Sequence, residues 1–412
     1  MEYGLIGFPL KHSFSKEIHR KIEKYDYRLH EISGEQLDMF LKRKDFKGIN
    51  VTIPYKEKVI PYLDFKDDVV STIGVCNTIV NNDGLLYGFN TDVLGLEALL
   101  NKEKIELCNK NVLILGTGGT SKTASYVANN KKASNIYVVS RSDNSKYNYD
   151  NIDILYDKVQ VIINTTPNGM YPHEDDNILV DLEKFSNLEA VVDVIFNPLS
   201  TRLVTKAHSL GIKSCGGLYM LVAQAVYAYG YFKNRIIDTN IIDKIYYEIL
   251  NEKQNIVLIG MPSCGKSKLG YKLAVEFGME FYDTDELIEN KIHTSIATYI
   301  NNKGEKRFRE IELEEIKKIK EKRNVVIATG GGSILNYDNI ENLSYNGVLL
   351  FIDRSLENLK VTDSRPLSSS YELLKEKYKQ RYHLYHKYAN YVIDGNEEFD
   401  IKIKKIKELL NR

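Results

Sequence analysis

The chain has 412 residues, enough for two or three domains. Its 56 Lys and Arg balance 56 Asp and Glu, and this near-zero charge argues against a broad nucleic-acid or membrane surface. Apolar residues make up 43% and charged residues 27%, the mix of a globular chain with real cores. No apolar run reaches the roughly 18 residues of a membrane span, and no secretory signal pattern opens the chain. The four cysteines, Cys76, Cys108, Cys215 and Cys264, lack metal-ligand spacing and read as reduced thiols of a cytoplasmic protein.

In chain order, Tyr3 to Gly7 predicts a strand. It runs into the turn Phe8-Pro9-Leu10-Lys11-His12-Ser13-Phe14-Ser15, with an amphipathic helix from about Lys16. Ser13 and Ser15 stand where a hydroxyl serves as helix cap or as ligand contact. A strand over 27–32 and a helix over 36–42 continue the alternation. The apolar stretch Gly48-Ile49-Asn50-Val51-Thr52-Ile53 stops at Pro54, with Lys56 just beyond. Residues 74–80 and the turn Asn82-Asp83-Gly84 predict a hairpin. Its second strand ends at Asn90-Thr91-Asp92, as at the lip of a site. Taken singly, Lys56 reads as a solvated charge and Asp92 as a helix cap.

From Asn111 the pattern changes. Residues 112–115 read as a buried strand, then comes Gly116-Thr117-Gly118-Gly119-Thr120-Ser121, then a helix over 122–129. This is a dinucleotide-binding turn, close to but not the strict G-x-G-x-x-G pattern. The next strand, 135–139, ends at Ser140-Arg141-Ser142. A guanidinium and two hydroxyls there suit the 2′-phosphate of NADP, although Asp143 stands near. Strands over 159–163 and 190–194 extend a doubly wound sheet. Gly216-Gly217 opens a long helix that carries Gln224.

A domain boundary is predicted over 246–253: the helix ends near Leu250, and Asn251-Glu252-Lys253-Gln254 is a short polar stretch before the next strand. Gly260-Met261-Pro262-Ser263-Cys264-Gly265-Lys266-Ser267 follows an apolar strand and precedes a helix, with the spacing G-x-x-x-x-G-K-S of a phosphate loop. Glycines let backbone N–H groups converge on phosphates, Lys266 reaches them, and Ser267 can hold Mg²⁺. Cys264 reads as a small filler rather than a redox switch. Asp283 and Asp285 at a strand end can divide the work between metal and acceptor hydroxyl, with helix capping as the plain alternative. Arg309 is a candidate carboxylate clamp or a surface ion-pair partner. Gly330-Gly331-Gly332 invites close approach by a ligand. Arg365 lies in a polar, lid-like stretch over 361–370, and Arg381 and Tyr385 stand one helical turn apart.

Residues 1 to about 248 resemble a shikimate dehydrogenase through Ser13/Ser15, Asn50-Val51-Thr52-x-Pro54-x-Lys56, Asn77-Thr78, Asn90-Thr91-Asp92, the Gly116 turn, Asn164-Thr165-Thr166-Pro167 and Met220-Leu221-x-x-Gln224. The resemblance implies a substrate domain over 1–100, closed by the helical region 217–248, and a Rossmann NADP-binding domain over 101–248. It implies Lys56 and Asp92 as catalytic pair, with Ser13, Ser15, Asn50, Thr52, Asn77 and Gln224 around shikimate. Gly116, Gly118, Gly119, Thr120, Ser140, Arg141, Ser142 and Gly217 then lie on the NADPH side. Phe196 departs from the family's usual Tyr. Residues 255–412 resemble a shikimate kinase, a nucleoside-monophosphate-kinase-like α/β fold with a parallel sheet. That implies Ser263, Cys264, Gly265, Lys266, Ser267 and Arg365 at ATP, Ser267 and Asp283 at Mg²⁺, and Asp285, Arg309, Gly331, Gly332 and Arg381 at shikimate, Asp285 as base. The lid before Arg365 is shorter and poorer in Arg than the family's.

The whole chain reads as a bifunctional α/β enzyme of small-molecule substrates, monomer or homodimer, without nucleic-acid or membrane partners. Two rivals remain: one half is a degenerate binding or regulatory module, or the phosphate-loop half serves another small acid or a nucleotide. Arg309 and Arg381 favour a carboxylate-bearing acceptor.

Overall fold

Alternating apolar runs and amphipathic helices produce three sheets. In the first, β1 (Tyr3–Gly7), β2 (Tyr27–Glu31) and β3 (Gly48–Val51) pair in parallel, with α1 (Ser15–Ile22) and α2 (Gly34–Arg43) as connections. β4 (Phe65–Lys66) lies at the far edge and precedes α3 (Asp68–Ile73). β5 (Thr78–Asn82) and β6 (Leu85–Phe89) form the antiparallel hairpin, in the order β2-β1-β3-β5-β6-β4. Asp83 and Gly84 both have positive φ (51° and 87°), the mirror-image turn that matches strand twist. The predicted hairpin begins late: Gly74, in the left-handed region, ends α3 rather than starting a strand.

The computed structural model describes residues 2–10, 13–141, 146–359 and 371–412. They divide into two units, one of residues 1–197 and 212–246, the other of 198–211 and 247–412. After α4 (Thr91–Lys102) the chain enters the second sheet. It comprises β7 (Asn111–Leu115), β8 (Asn135–Ser140), β9 (Tyr147–Asn148), β10 (Val161–Asn164), β11 (Ala190–Asp193) and β12 (Lys213–Cys215), with α5 (Gly119–Asn130) and α6 (Arg202–Ser209) between. The order β12-β11-β10-β7-β8-β9, all parallel, puts the switch point beside β7, where the dinucleotide turn lies. The central strands β7, β10 and β11 are buried on both faces, which is why they read as continuous apolar runs. α7 (Leu218–Lys233) returns to the first sheet: Phe232 and Ala228 pack with Tyr3, Leu5 and Tyr27.

α8 (Asn240–Lys253) runs three residues beyond the predicted end, and the polar stretch after Leu250 forms its last turn. Glu, Lys and Asn tolerate an exposed helix end, so polarity did not mark a break here. β13 (Asn255–Ile259) follows almost at once, then α9 (Lys266–Phe277), β14 (Glu280–Asp283), α10 (Thr284–Ile292), α11 (Ile296–Lys303), α12 (Glu305–Ile319), β15 (Val325–Ala328), α13 (Tyr337–Ser344), β16 (Gly347–Asp353), α14 (Tyr371–Tyr388), β17 (Tyr391–Asp394) and α15 (Phe399–Leu410). The third sheet is parallel throughout, in the order β14-β15-β13-β16-β17. β13 is fully buried at its centre, and the phosphate loop leaves its carboxyl end. Among the described residues no helix is long and apolar enough to cross a membrane.

Candidate active sites

In the first unit the carboxyl ends of β3 and β6 converge on one charged pair. Lys56 Nζ lies 2.6 Å from Asp92 Oδ2, with side chains only 16% and 10% exposed. Asp92 sits in the first turn of α4, where the helix dipole favours a carboxylate. It is not the cap that a lone Asp suggests. Asn90 is: its Oδ1 accepts the Val93 N–H at 3.2 Å, which leaves the Asp92 carboxylate for Lys56.

A buried amide network lies beside the pair. Asn50 Nδ2 donates to Thr78 Oγ1 (3.1 Å) and the Asn77 carbonyl (3.3 Å), and Tyr27 donates to Asn50 Oδ1 (2.8 Å). Asn77 Oδ1 accepts the Thr91 N–H (2.7 Å), and Asn77 Nδ2 donates to Thr91 Oγ1 (3.0 Å). Gln224 reaches in from α7, its Oε1 3.5 Å from Asn77 Nδ2. Such a network fixes each amide's orientation, as polar recognition of hydroxyls requires. Thr52 is half-buried just past β3. Ser13 Oγ accepts the Ser15 N–H at 3.2 Å ahead of α1, whose N-cap position is Phe14 with no side-chain cap, while Ser15 is buried in the first turn. Phe196 packs on Phe14 between those serines, ring centroids 5.3 Å apart.

The dinucleotide turn adjoins the pair. A Cβ on Gly119 would stand 3.8 Å from that of Lys56. Gly116 has φ 105°, and no side chain caps α5, so its N-terminal N–H groups can face an anion. A Cβ on Gly118 would meet open space. This cradle fits a pyrophosphate. Thr120 is half-buried in the first turn of α5, Ser140 is buried at the end of β8, Arg141 is exposed after it, and Ser142 lies outside the described residues. Gly217 has a packing duty: a Cβ there would stand 2.0 Å from the Val194 carbonyl oxygen.

In the second unit Gly260 and Gly265 take φ 148° and 100°, and Ser263 also has positive φ. Lys266 Nζ donates to the carbonyls of Gly260 and Met261, 2.9 Å each. Buried Cys264 fills the loop, its Sγ 3.7 Å from that ammonium. Ser267 donates to Asp283 Oδ2 at 2.6 Å, and Asp283 Oδ1 accepts the Asp285 N–H at 2.9 Å. Asp283 thus caps α10 and faces the loop hydroxyl at once. A hydroxyl and a carboxylate beside a phosphate cradle suit Mg²⁺, which takes few protein ligands when phosphates supply the rest.

A cavity of about 370 Å³ opens beside these groups, with Asp285, Arg309, Gly331, Gly332 and Arg381 on its walls. Arg309 pairs with Glu312 (2.8 Å) and Glu305 (2.9 Å). Arg381 Nη1 and the Tyr385 hydroxyl both donate to the Gly331 carbonyl, at 3.0 and 2.6 Å. The glycine run makes room for the chain itself: a Cβ on Gly332 would strike the Arg309 guanidinium at 2.2 Å, and one on Gly331 would strike Pro262. Arg365 lies outside the described residues.

Residues 5–79 match the family model of the shikimate dehydrogenase substrate binding domain, and residues 262–411 that of shikimate kinase. The shikimate dehydrogenase (NADP(+)) of Methanosphaera stadtmanae is 36% identical over 259 residues, 56% of this chain and 91% of that protein. The chain belongs to the shikimate dehydrogenase family. A shikimate kinase domain follows, so the protein is a fusion. Shikimate dehydrogenase 1 from Peptoclostridium difficile superposes with a TM-score of 0.56 at 36% identity, over 60% of this chain and 98% of that one. A chorismate mutase/shikimate 5-dehydrogenase fusion from Clostridium acetobutylicum gives 0.56 at 35%, over 60% and 96%.

In the fusion protein, sequence reasoning passed over Tyr27 and the fully buried His19 behind the dehydrogenase amides. In the kinase domain it passed over Glu312 and Lys377. Glu312 is fully buried, holding Arg309 and accepting from Ser333 Oγ at 2.7 Å. Its signal was the i,i+3 spacing to Arg309.

Proposed function

We propose that the first unit reduces 3-dehydroshikimate to shikimate and that the second phosphorylates the shikimate 3-hydroxyl, two successive steps of the shikimate pathway. The reading is carried by one observation: each half keeps its reactive pair in contact, Lys56 with Asp92 and Ser267 with Asp283.

NADPH, when bound, supplies the hydride to the 3-keto carbon. Negative charge then grows on the carbonyl oxygen, and Lys56 Nζ meets it with a proton while Asp92 keeps the ammonium oriented. Asn50, Asn77 and Gln224, aligned by their own hydrogen bonds, hold the ring hydroxyls, with Ser13, Ser15 and Thr52 beside them. The cradle at Gly116, Gly118, Gly119 and Thr120 takes the cofactor pyrophosphate, and Ser140, Arg141 and Ser142 favour a 2′-phosphate. Gly217 supports this side by letting α7 start against Val194.

In the second unit the loop from Ser263 to Ser267 holds the ATP phosphates, with Arg365 from the lid. Mg²⁺, when bound at Ser267 and Asp283, neutralises phosphate charge. Asp285 takes the proton of the acceptor hydroxyl, and Arg309 and Arg381 hold the acceptor's carboxylate. The domain limits 1–100, 101–248 and 255–412 belong to this reading.

The test is a coupled assay on the full chain. NADPH absorbance should fall with 3-dehydroshikimate, and shikimate 3-phosphate should appear by mass spectrometry once ATP and Mg²⁺ are added. Lys56→Ala should stop the first step only, and Lys266→Ala the second only. NADPH loss without phosphate transfer, or the converse, would reduce one half to a binding module.

A further inference from the structure

The kinase acceptor cavity contains a cation that the pathway chemistry above does not use. Lys377 and Arg381 stand at i and i+4 on α14, and both line the cavity with Arg309 of α12. Like charges at this spacing repel. Arg309 has two carboxylates of its own, Glu312 and Glu305. Among the described residues Arg381 has none at contact: it is 5% exposed, donates to a backbone carbonyl, and its Nε makes no hydrogen bond. Burial, and then Arg309, hold its guanidinium below the usual range. Lys377 is pushed down to about 8, first by burial, then by Arg381 and less by Arg309, with Glu305 and Glu376 opposing the shift.

The charged groups around Lys377 are thus Arg381 and Glu376 from α14, and Arg309, Glu305 and Glu312 from α12. Asp283, Asp285, Glu286 and Glu289 line the same cavity from β14 and α10. Cations come from α12 and α14, and further carboxylates from the β14–α10 corner. A polyanion would meet those carboxylates. A ring carrying one carboxylate and several hydroxyls matches both sets.

We propose that Lys377 determines acceptor specificity: its ammonium joins Arg309 and Arg381 on the acceptor's carboxylate, so the pocket selects a hydroxy acid over its neutral counterpart. This rests on reading the second unit as a shikimate kinase. A bound carboxylate favours the charged ammonium, so acceptor binding takes up a proton above about pH 8 and weakens as pH rises further.

The test compares shikimate with its methyl ester as acceptors of the full-length chain, in the wild type, Lys377→Gln and Lys377→Arg. Lys377→Gln should raise the shikimate KM about tenfold or more, with far less effect on the ATP KM. The ester KM should hardly move, so the preference for acid over ester shrinks, and Lys377→Arg should restore it. In the wild type the shikimate KM should climb above about pH 8, and Lys377→Arg should abolish that climb, because guanidinium stays charged. An unmoved acid-to-ester preference in Lys377→Gln overturns the inference while leaving the kinase intact. If Lys377→Gln fails to fold, identical pH profiles for wild type and Lys377→Arg overturn it. A wild type that phosphorylates no shikimate overturns the kinase reading and this inference together.

Discussion

Between pH 7 and pH 5 the first unit is expected to lose about 2 kcal/mol of stability through His19 alone. The imidazole is fully buried on α1, stacked on Tyr27 with ring centroids 3.8 Å apart and planes 12° apart. The Tyr25 hydroxyl lies 2.5 Å from its Nδ1. Burial pushes its pKa from 6.5 down to about 3, outweighing the opposing Asn50 side chain. Folded His19 is therefore neutral where the unfolded chain already binds a proton. The contribution is complete above pH 6.5 and falls by about 1.4 kcal/mol per pH unit towards pH 3. Hydrogen exchange of peptides covering β1 to β3, corrected for intrinsic rates, reads the opening free energy of this unit without needing two-state behaviour of the whole chain. His19→Gln removes the titration and keeps a polar side chain of moderate size. The wild type should lose about 2 kcal/mol more than the variant over the interval. Equal losses would refute the reasoning, because carboxylates elsewhere would then account for the whole pH dependence.

Lys56→Met should lower the reductase kcat by roughly 10²–10⁴-fold with a smaller change in substrate KM, and leave phosphorylation of added shikimate untouched. An equal loss in both reactions would point to misfolding. Gly217→Ala forces a methyl to within 2.0 Å of the Val194 carbonyl oxygen, so the first unit should lose roughly 1–3 kcal/mol, measured as a lower melting temperature. An unchanged midpoint would mean that α7 shifts freely. Glu312→Ala strands Arg309 with Glu305 alone and removes the acceptor for Ser333 Oγ, so the kinase domain should weaken by about 3 kcal/mol and its shikimate KM should rise. A normal melting curve with a normal KM would show Glu312 to be dispensable.

The parallel sheets and both anion cradles could be read from the chain, because apolar runs ending in glycine turns carry their chemistry locally. Lys56 and Asp92 were legible only through the family pattern. Thirty-five residues separate them, and nothing in either neighbourhood announces the partner. What stayed hidden was of three kinds. Gly74 and Asn251 sit in sequences that suit more than one conformation, and tertiary context chose helix ends there. The glycines at 331 and 332 signalled close approach, but not that Pro262 and Arg309 of the same chain would be what approaches, and nothing around Gly217 announced the Val194 carbonyl against it. Lys377 and His19 look like ordinary helix residues, and it is mainly their burial that makes them unusual.

The helix that completes the first sheet comes late. Tyr3, Leu5 and Tyr27 are covered by Ala228 and Phe232 of α7, and Gln224 on the same helix joins the amide network around Asn77. During synthesis, the first hundred residues therefore leave the ribosome with an apolar face exposed and a polar network incomplete. They must wait for the entire nucleotide-binding segment to emerge before α7 can dock. The first two sheets cannot mature one after the other: the first finishes only when the second has been made. A chain stalled or cut before residue 218 would present an unfinished, aggregation-prone lobe, however well its own strands are paired.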